Sequence, residues 1–568
     1  MTLKLIERRV GLLFALFTLA FCLVIVRAAW LQAVKGSALS ATAESQQTTT
    51  VEVPGLRGSV LDRNGEPLAL SEEAATVFVT PYQVERPGMT ARHLGKVLGR
   101  PPEQILKSLT AEGSGFEYVE RRLDLVTANR VRKLDLPGIG LLPDARREYP
   151  QGEIGARLIG AVGFEDQGLF GIEAAQEETL AGTDGELSVT NDALGEEISR
   201  EQIDGAVRGE DVQLTIDGSI QGQTEKVLSE IGKTYQPEGA TAIAMNPKDG
   251  SILAMASWPP FDPSKLETVE SSQLNNMATA FNYEPGSTFK AFTVAAALED
   301  NQVRPNTEFT LAPSIQVADR VIEESHPRGT ETMSVADILK VSSNVGAVTI
   351  GMDLGAERFD HWVRRFGFGE ATGIDFPGEE AGIVPRPEDY SGSTIGNVPI
   401  GQGLSVTPLQ MMAAYAAIAN GGRLVQPRLV ESIGGRAIAA EPGEQIISEK
   451  TSRQTRKMLQ GVLEPGGTAS VAVPGYVLGG KTGTAQKVID GTYSETQYVA
   501  SFVGFAPAQD PELLVAVIVD DPVGDYFGGT VAAPAFGEIA TFALPYLGIA
   551  PGKGGVPEGM DPAVAPTP

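Results

Sequence analysis

The sequence predicts an α+β fold, in which helices pack against both faces of an antiparallel sheet. Residues 239–257 alternate apolar and small side chains on either side of Asp249–Gly250, which is typical of a β-hairpin. Two apolar runs near the C-terminus, ASFVGFAPA and LLVAVIVDD, predict two further strands. Residues 334–420 lie between the hairpin and these strands and are largely helical in pattern. Helices sandwiched on an antiparallel sheet are an α+β arrangement.

Length and composition limit the functions that remain open. The 568 residues are enough for two or three domains with substantial cores. The chain has 45 basic and 72 acidic residues and a net charge of −27, which argues against a nucleic-acid partner. Its single cysteine, Cys22, excludes an intramolecular disulfide, and three scattered histidines without a cysteine cluster do not form a zinc motif. No metal or cofactor is predicted.

The N-terminus carries a predicted membrane anchor. Arg8 and Arg9 precede an uncharged apolar segment, so we predict a cytoplasmic tail at 1–9 and a spanning helix at 10–31. The basic cluster places the N-terminus in the cytoplasm and everything after the helix on the outer, periplasmic side of the cytoplasmic membrane. A cleaved signal peptide, or a lipoprotein site at Cys22, is the alternative.

Four further regions follow the anchor. A polar stalk is predicted at 32–50 and an N-terminal pedestal domain at 51–208, beginning with a hairpin that turns at Asn64–Gly65. The domain that carries the candidate chemistry is predicted at 209–547. The remaining Pro- and Gly-rich residues, 548–568, are predicted to be a disordered tail.

The segment YEPGSTFK contains a candidate nucleophile, Ser287, and a candidate base, Lys290. Ser287 opens an apolar run of helical character, and Lys290 follows it by three residues, so the two side chains share one helical face. Alone, this spacing is also compatible with an ordinary capping serine and a solvated lysine.

Two later segments favour the catalytic interpretation. VSSN places Ser342 and Asn344 in a helical-looking segment, and LGGKTGTAQ places Lys481, Thr482 and Thr484 after a pair of glycines. Ser342 follows Ser287 by 55 residues, and Lys481 follows Ser342 by 139. S-x-x-K, S-x-N and K-T-G in this order are the signature of serine β-lactamases and penicillin-binding proteins.

With these motifs the chain resembles the class B penicillin-binding proteins, which are monofunctional D,D-transpeptidases of cell-wall synthesis. The resemblance covers nearly the whole chain after the anchor and implies a penicillin-binding transpeptidase fold with an N-terminal pedestal of the dimerisation type. YFGGTVAAPAF and KTGTAQK are more similar to the cell-division (septal) branch than to the elongation branch. One departure is NNMA before the nucleophile, where relatives carry an arginine near Met277. The other blocks that carry the resemblance are RGSVLDRNG, GLFGIE, YEPGSTFK, SSNVG, IGQGLSVTPLQ and ASFVGFAP.

The resemblance implies a role for each motif residue. Ser287 forms an acyl-enzyme, and Lys290 takes its proton if burial and the charge of Lys481 lower the lysine pKa. The catalytic set is Ser287, Lys290, Ser342, Asn344 and Lys481; Thr482, Gly483 and Thr484 bind substrate; and the backbone N–H groups of Ser287 and Thr484 form the oxyanion hole.

The expected partners are peptidoglycan stem peptides ending in D-Ala-D-Ala, β-lactams, the membrane, a polytopic peptidoglycan glycosyltransferase and other division proteins. Four alternatives remain open: an elongation-type transpeptidase, a D,D-carboxypeptidase that uses water as acceptor, a β-lactamase, and a non-catalytic division scaffold. A β-lactamase is disfavoured because the E-x-x-L-N glutamate motif of class A enzymes is absent after S-x-N.

Overall fold

The computed structural model describes residues 3–33, 48–111, 113–191, 197–266 and 269–551. The chain forms two compact units, and neither is continuous in sequence. The smaller unit consists of Met1–Leu56, Glu72–Arg146 and Gly182–Gly209. The larger unit consists of Arg57–Ser71, Arg147–Ala181 and Glu210–Pro568.

The N-terminal helix runs from Leu3 to Ala33. Its segment Ile6–Ala33 has a mean hydropathy of 2.5 and an exposed apolar surface, so it is long and apolar enough to anchor the chain in a membrane. Most of the predicted stalk, residues 34–47, lies outside the described residues, and its last three residues belong to the strand Thr48–Val53.

The smaller unit contains two sheets. One is a three-stranded antiparallel sheet of Thr48–Val53, Gly185–Asn191 and Glu197–Asp204. In the other, residues 74–79 of the strand Pro67–Val79 pair with Glu117–Asp124, and Ile139–Glu148 pairs with the same strand. Three helices bury leucine, isoleucine and valine side chains against this second sheet: Pro87–Leu98, Pro102–Leu109 and Leu125–Arg132.

A five-stranded antiparallel sheet forms the centre of the larger unit. Its strands lie in the order Ile252–Trp258, Gly239–Met245, Leu513–Asp520, Thr492–Ala506 and Gly479–Ile489. The predicted hairpin turn at Asp249–Gly250 and both predicted C-terminal strands are confirmed. The strand Gly479–Ile489, which carries K-T-G and is called the KTG strand below, lies at the edge of this sheet.

Alternate side chains of this sheet enter two separate cores. Ala242 and Val517 pack with the helices Gly218–Tyr235 and Gly528–Tyr546. Ile243 and Ile518 point to the opposite face, into a core that contains the helices Lys290–Glu299 and Pro408–Ala419. This alternation follows from the two-residue period of a strand. The predicted α+β fold, an antiparallel sheet sandwiched by helices, is confirmed.

Shorter elements complete the larger unit. The remaining α-helices are Ala156–Ile159, Gly171–Ala175, Glu177–Leu180, Ser271–Leu274, Met277–Ala280, Val335–Lys340, Asn344–Leu354, Ala356–Arg365, Thr394–Asn397 and Glu449–Gly461. The remaining strands are Val60–Leu61, Ala161–Val162, Gly168–Phe170, Val212–Leu214, Glu308–Leu311, Ser314–Val317, Arg320–Glu323, Glu331–Ser334, Arg423–Leu424, Val430–Ile433, Arg436–Ala437 and Glu444–Gln445.

A buried ion cluster ties two early segments into the larger unit. The carboxylate of Glu173 is fully buried and accepts from the Nε atoms of Arg57 at 2.6 Å and Arg147 at 2.7 Å. Removal of one partner from such a cluster leaves a buried charge uncompensated, so all three residues are needed together. The cluster explains why Arg57–Ser71, which contains the predicted hairpin, belongs to the larger unit although we place it in the pedestal by sequence.

The C-terminal end of the larger unit extends beyond the predicted domain boundary. Ile549 is buried, and its backbone carbonyl accepts a hydrogen bond from the hydroxyl of Tyr476. The first residues of the predicted tail therefore pack against the unit. Residues 552–568 lie outside the described part of the chain.

Candidate active site

Ser287 lies in a 3-10 turn, Gly286–Phe289, and the α-helix begins one turn later, at Lys290. The turn packs directly on the KTG strand. Gly286 has φ +54°, and a Cβ at this position would lie 3.2 Å from the backbone oxygen of Thr484. A side chain here would meet both a strained backbone conformation and the strand, so glycine is required.

Lys290 is buried and contacts both polar residues of the S-x-N motif. Its Nζ donates to the backbone oxygen of Ser342 at 2.7 Å and to Oδ1 of Asn344 at 2.6 Å. It also lies 3.2 Å from the Ser342 hydroxyl. The first two motifs are therefore joined through the lysine amine. In the described structure the Ser287 hydroxyl makes no hydrogen bond of its own to Lys290.

Ser342 is not helical, which corrects the prediction for VSSN. It has φ +59° and lies between the helices Val335–Lys340 and Asn344–Leu354. A left-handed conformation is unfavourable for serine by roughly 1–3 kcal/mol and persists only where surrounding contacts fix it. Here it turns both the carbonyl and the hydroxyl of Ser342 toward Lys290.

Lys481 reaches the same hydroxyl from the KTG strand. Its Nζ is 3.0 Å from Oγ of Ser342 and 3.2 Å from the backbone oxygen of Thr482. The Ser342 hydroxyl therefore lies between two buried amines. All three motifs meet at this one oxygen atom.

Burial changes the protonation of both lysines. Burial lowers the pKa of Lys290 to about 7, with a smaller opposing effect from Glu324 and a smaller lowering effect from Arg328. The pKa of Lys481 lies well below its usual range, mainly because the amine is buried and to a smaller extent because Lys290 repels it. From the sequence we predicted that the charge of Lys481 would lower the pKa of Lys290. In the structure the repulsion between the two amines lowers the pKa of Lys481 instead.

The hydrogen bonds of Lys290 suit an unprotonated amine. A neutral amine has two N–H donors and one lone pair, and two oxygens that can only accept, from Ser342 and Asn344, occupy the donors. The amide orientation of Asn344 is fixed because its Nδ2 donates to the backbone oxygen of Glu323 at 2.8 Å. The lone pair of Lys290 is thus left for a hydroxyl group.

Glu324 holds the S-x-N motif in place, and the sequence analysis missed it. One carboxylate oxygen accepts from the backbone N–H of Asn344 at 2.7 Å, and the other accepts from the Ser343 hydroxyl. A carboxylate at the first turn of a helix satisfies unpaired N–H groups and the positive end of the helix dipole. Glu324 lies 20 residues before Asn344, so no local spacing in the sequence indicates this contact.

The KTG strand is fixed by its glycine and its threonines. A Cβ on Gly483 would lie 2.3 Å from the Ser501 hydroxyl and 2.9 Å from the backbone oxygen of Pro285. Only glycine therefore lets the strand approach the turn that carries the candidate nucleophile. Oγ1 of Thr482 is 2.7 Å from Oγ1 of Thr468, and Oγ1 of Thr484 accepts from the backbone N–H of Gly528 at 3.1 Å.

Ser287 opens into a groove of about 1330 Å³, which is large enough for a peptide of several residues. Five predicted site residues line it, namely Ser287, Ser342, Asn344, Thr482 and Thr484. The two lysines, Lys290 and Lys481, are buried behind this surface. Groove residues that the sequence did not single out include Arg320, His326, Arg328, Gln402, Thr468 and Gln486.

Two family models match the chain. The model of the penicillin binding protein transpeptidase domain matches residues 240–541, and that of the penicillin-binding protein dimerisation domain matches residues 52–214. Together they cover most of the chain after the N-terminal helix.

Individual relatives match over nearly their whole length. Stage V sporulation protein D of Bacillus subtilis is 37% identical over 561 residues, which is 96% of this chain and 87% of that protein. Peptidoglycan D,D-transpeptidase FtsI of Escherichia coli is 31% identical over 96% of this chain and 93% of its own length. The crystal structure of penicillin binding protein 3 from Mycobacterium tuberculosis, complexed with aztreonam, has a TM-score of 0.70 and 29% sequence identity, and covers 89% of this chain and 99% of that chain.

Proposed function

The chain belongs to the class B penicillin-binding protein family, the peptidoglycan D,D-transpeptidases, and from that membership we propose that it cross-links stem peptides through an acyl-enzyme on Ser287. One observation carries the proposal. The Ser342 hydroxyl lies between the buried amines of Lys290 and Lys481, beside the turn that carries Ser287.

In the proposed first step, Oγ of Ser287 attacks the carbonyl carbon of the penultimate D-alanine. Its proton passes to the lone pair of Lys290, because a free serine hydroxyl is a poor nucleophile. Ser342, which contacts Lys290 at 3.2 Å, donates its hydroxyl proton to the departing amine of the terminal D-alanine and takes up the proton that Lys290 had accepted, so Lys290 is neutral again. The peptide C–N bond breaks, and an ester bond to Ser287 remains.

The KTG strand and the turn that carries Ser287 are proposed to bind the carbonyl oxygen under attack and the terminal carboxylate of the donor peptide. The backbone N–H groups of Ser287 and Thr484 stabilise the negative charge that develops on the carbonyl oxygen, an effect of roughly 3 kcal/mol per donor. Lys481 and the hydroxyls of Thr482 and Thr484 bind the terminal carboxylate of the donor peptide, and Asn344 orients Lys290.

In the second step, an acceptor amine from another stem peptide attacks the ester carbonyl and loses its proton to Lys290. An amide cross-link forms, and Ser287 regains its hydroxyl proton. Water in place of the amine would give a shortened peptide, which is the carboxypeptidase alternative.

Incubation with a donor peptide ending in D-Ala-D-Ala and an amine acceptor separates these two outcomes. We expect free D-alanine together with a donor–acceptor amide, detected by mass spectrometry. Release of D-alanine with only the hydrolysed peptide, even at high acceptor concentration, would establish the carboxypeptidase instead.

We also propose a role in septal wall synthesis, with β-lactams as inhibitors. Its support is the similarity of YFGGTVAAPAF and KTGTAQK to the division branch, alongside the similarity to FtsI, a peptidoglycan D,D-transpeptidase of Escherichia coli. A fluorescent fusion should form mid-cell rings; dispersed side-wall patches would favour the elongation alternative.

The proposed setting is the outer side of the cytoplasmic membrane. The helix Ile6–Ala33 anchors the chain with its N-terminus in the cytoplasm, because Arg8 and Arg9 precede the apolar segment. A polytopic peptidoglycan glycosyltransferase and other division proteins are the proposed partners. In this proposal the pedestal domain spans residues 51–208 and the transpeptidase domain spans residues 209–547, as predicted from the sequence.

A further inference from the structure

Arg320 is a groove cation that the proposed chemistry does not use. It begins the strand Arg320–Glu323, is half-buried, and lines the same groove as Ser287. Its Nη2 donates to Oε1 of Gln402 at 3.2 Å, and its guanidinium carbon lies 5.1 Å from the ring centroid of Tyr493. A neutral amide and an aromatic ring therefore hold the cation in place without neutralising it.

The carboxylate of Glu284 interacts electrostatically with Arg320 but makes its hydrogen bonds to other groups. Oε1 of Glu284 accepts from the backbone N–H of Gly403 at 2.9 Å and from the Tyr493 hydroxyl at 3.2 Å. Burial raises the pKa of Glu284, and the hydrogen bonds to Gly403 and Tyr493 and the charge of Arg320 oppose this rise. Within the described residues, Arg320 has no ion pair at 4.0 Å or less, although the protein is strongly acidic overall. A guanidinium has five N–H donors, so some remain for a ligand after the hydrogen bonds of Arg320 to Gln402 and to the Tyr493 hydroxyl.

The register of the KTG strand shows which part of a donor peptide would reach Arg320. Thr482, Thr484 and Gln486 line the groove at two-residue intervals, roughly 7 Å apart along a strand. The strand then continues to Val488, which pairs with Tyr493, the residue that stacks with Arg320. A peptide lying along this edge, with its terminal carboxylate near Thr482 and Thr484, directs its preceding residue toward Arg320.

We propose that Arg320, positioned by Gln402 and Tyr493, selects donor peptides in which the residue before D-Ala-D-Ala carries a side-chain carboxylate. A guanidinium presents a planar pair of donors that matches a carboxylate and repels an amine. The inference rests on the proposed transpeptidase function and adds the chemistry of the third stem-peptide residue. A diamino dicarboxylic acid such as diaminopimelate has this carboxylate, whereas lysine does not.

Three donor peptides that differ only at that residue test the selection: diaminopimelate, its side-chain amide, and lysine. We expect kcat/KM for D-alanine release to favour the free carboxylate over the amide by roughly tenfold, a typical effect of a charge-assisted hydrogen bond. Arg320→Gln should bring this ratio close to one. Arg320→Glu should reverse the order and favour the lysine peptide.

Two controls separate selection from loss of fold or of catalysis. Acylation of Arg320→Gln by benzylpenicillin, whose side chain carries no carboxylate at the position that corresponds to the third residue, should stay within about twofold of the parent rate. Arg386→Gln removes an exposed arginine whose nearest acid, Glu388, is 3.8 Å away, and should leave the peptide ratio unchanged.

Equal rates for the three peptides with the parent protein would overturn the selection by Arg320 while leaving the proposed function intact. A parallel loss of peptide and penicillin reactions in Arg320→Gln would also overturn it, because it would show a general role in the site. A parent protein that releases D-alanine from none of the peptides would contradict the proposed function itself.

Discussion

Replacement of Ser287 by alanine is expected to abolish covalent attachment of β-lactams. Ser287 is the hydroxyl that opens into the groove beside the KTG strand, and no alternative hydroxyl lies at the same turn, since Thr288 is buried and donates to the backbone oxygen of Pro285. Fluorescent penicillin followed by gel electrophoresis measures the attachment. The band should fall by at least three orders of magnitude, as expected when an enzyme loses its nucleophile.

Ser219→Ala is the matched control, because Ser219 also lies in the first turn of a helix but is exposed and outside the groove. It should be labelled like the parent protein. Labelling of Ser287→Ala at another residue would reject the nucleophile assignment. If a strain depleted of the parent protein grew with Ser287→Ala as its replacement, the result would support the alternative of a non-catalytic scaffold.

The parent protein should also release its β-lactam adduct slowly, because the site lacks the glutamate motif that class A β-lactamases use for deacylation. Rapid steady-state hydrolysis of nitrocefin would establish the β-lactamase alternative.

The second large effect that we expect is a loss of acylation activity in Lys290→Met. Methionine fills a similar volume but supplies no lone pair, so the acylation rate constant should fall by about 10²–10⁴-fold, the usual contribution of a general base. Folding should survive, because a buried amine with a pKa near 7 gains little from charge. Stopped-flow fluorescence with a labelled penicillin measures the rate constant, and circular dichroism monitors the fold.

Lys290→Arg distinguishes a base from a simple positive charge. Arginine keeps its proton at all accessible pH values, so this variant should be about as slow as Lys290→Met. Substantial activity in Lys290→Arg would assign an electrostatic role to the residue instead. Lys340→Met, which removes a lysine whose nearest acid is 3.9 Å away, should acylate at the parent rate.

The motifs predict the convergence of the site but not its geometry. The order of S-x-x-K, S-x-N and K-T-G was enough to predict that Ser287, Lys290, Ser342 and Lys481 lie close together. The left-handed backbone of Ser342 was not predictable, because serine has no intrinsic preference for it and only tertiary contacts impose it. Glu324 and Arg320 were missed for a related reason: their partners lie 20 and 82 residues away along the chain.

The fold shows the same division between local and long-range information. Alternating apolar residues and the turn at Asp249–Gly250 gave the central hairpin, because both signals lie within a short segment. The sequence did not show which segments of the chain make up the larger unit. It depends on the buried contact of Glu173 with Arg57 and Arg147, which are separated from it by 116 and 26 residues. Opposite charges at such distances in sequence carry no pairing signal of their own.

The pH dependence of β-lactam acylation at Ser287 tests the role of an unprotonated Lys290 most directly. Since burial lowers the pKa of Lys290 to about 7, the fraction of free amine rises with pH up to that value and then saturates. The acylation rate constant should therefore increase about tenfold per pH unit below 7 and level off above it. A rate constant that stays constant from pH 5 to pH 9, or that rises only near the ordinary lysine pKa of about 10.4, would contradict the assignment of Lys290 as the base.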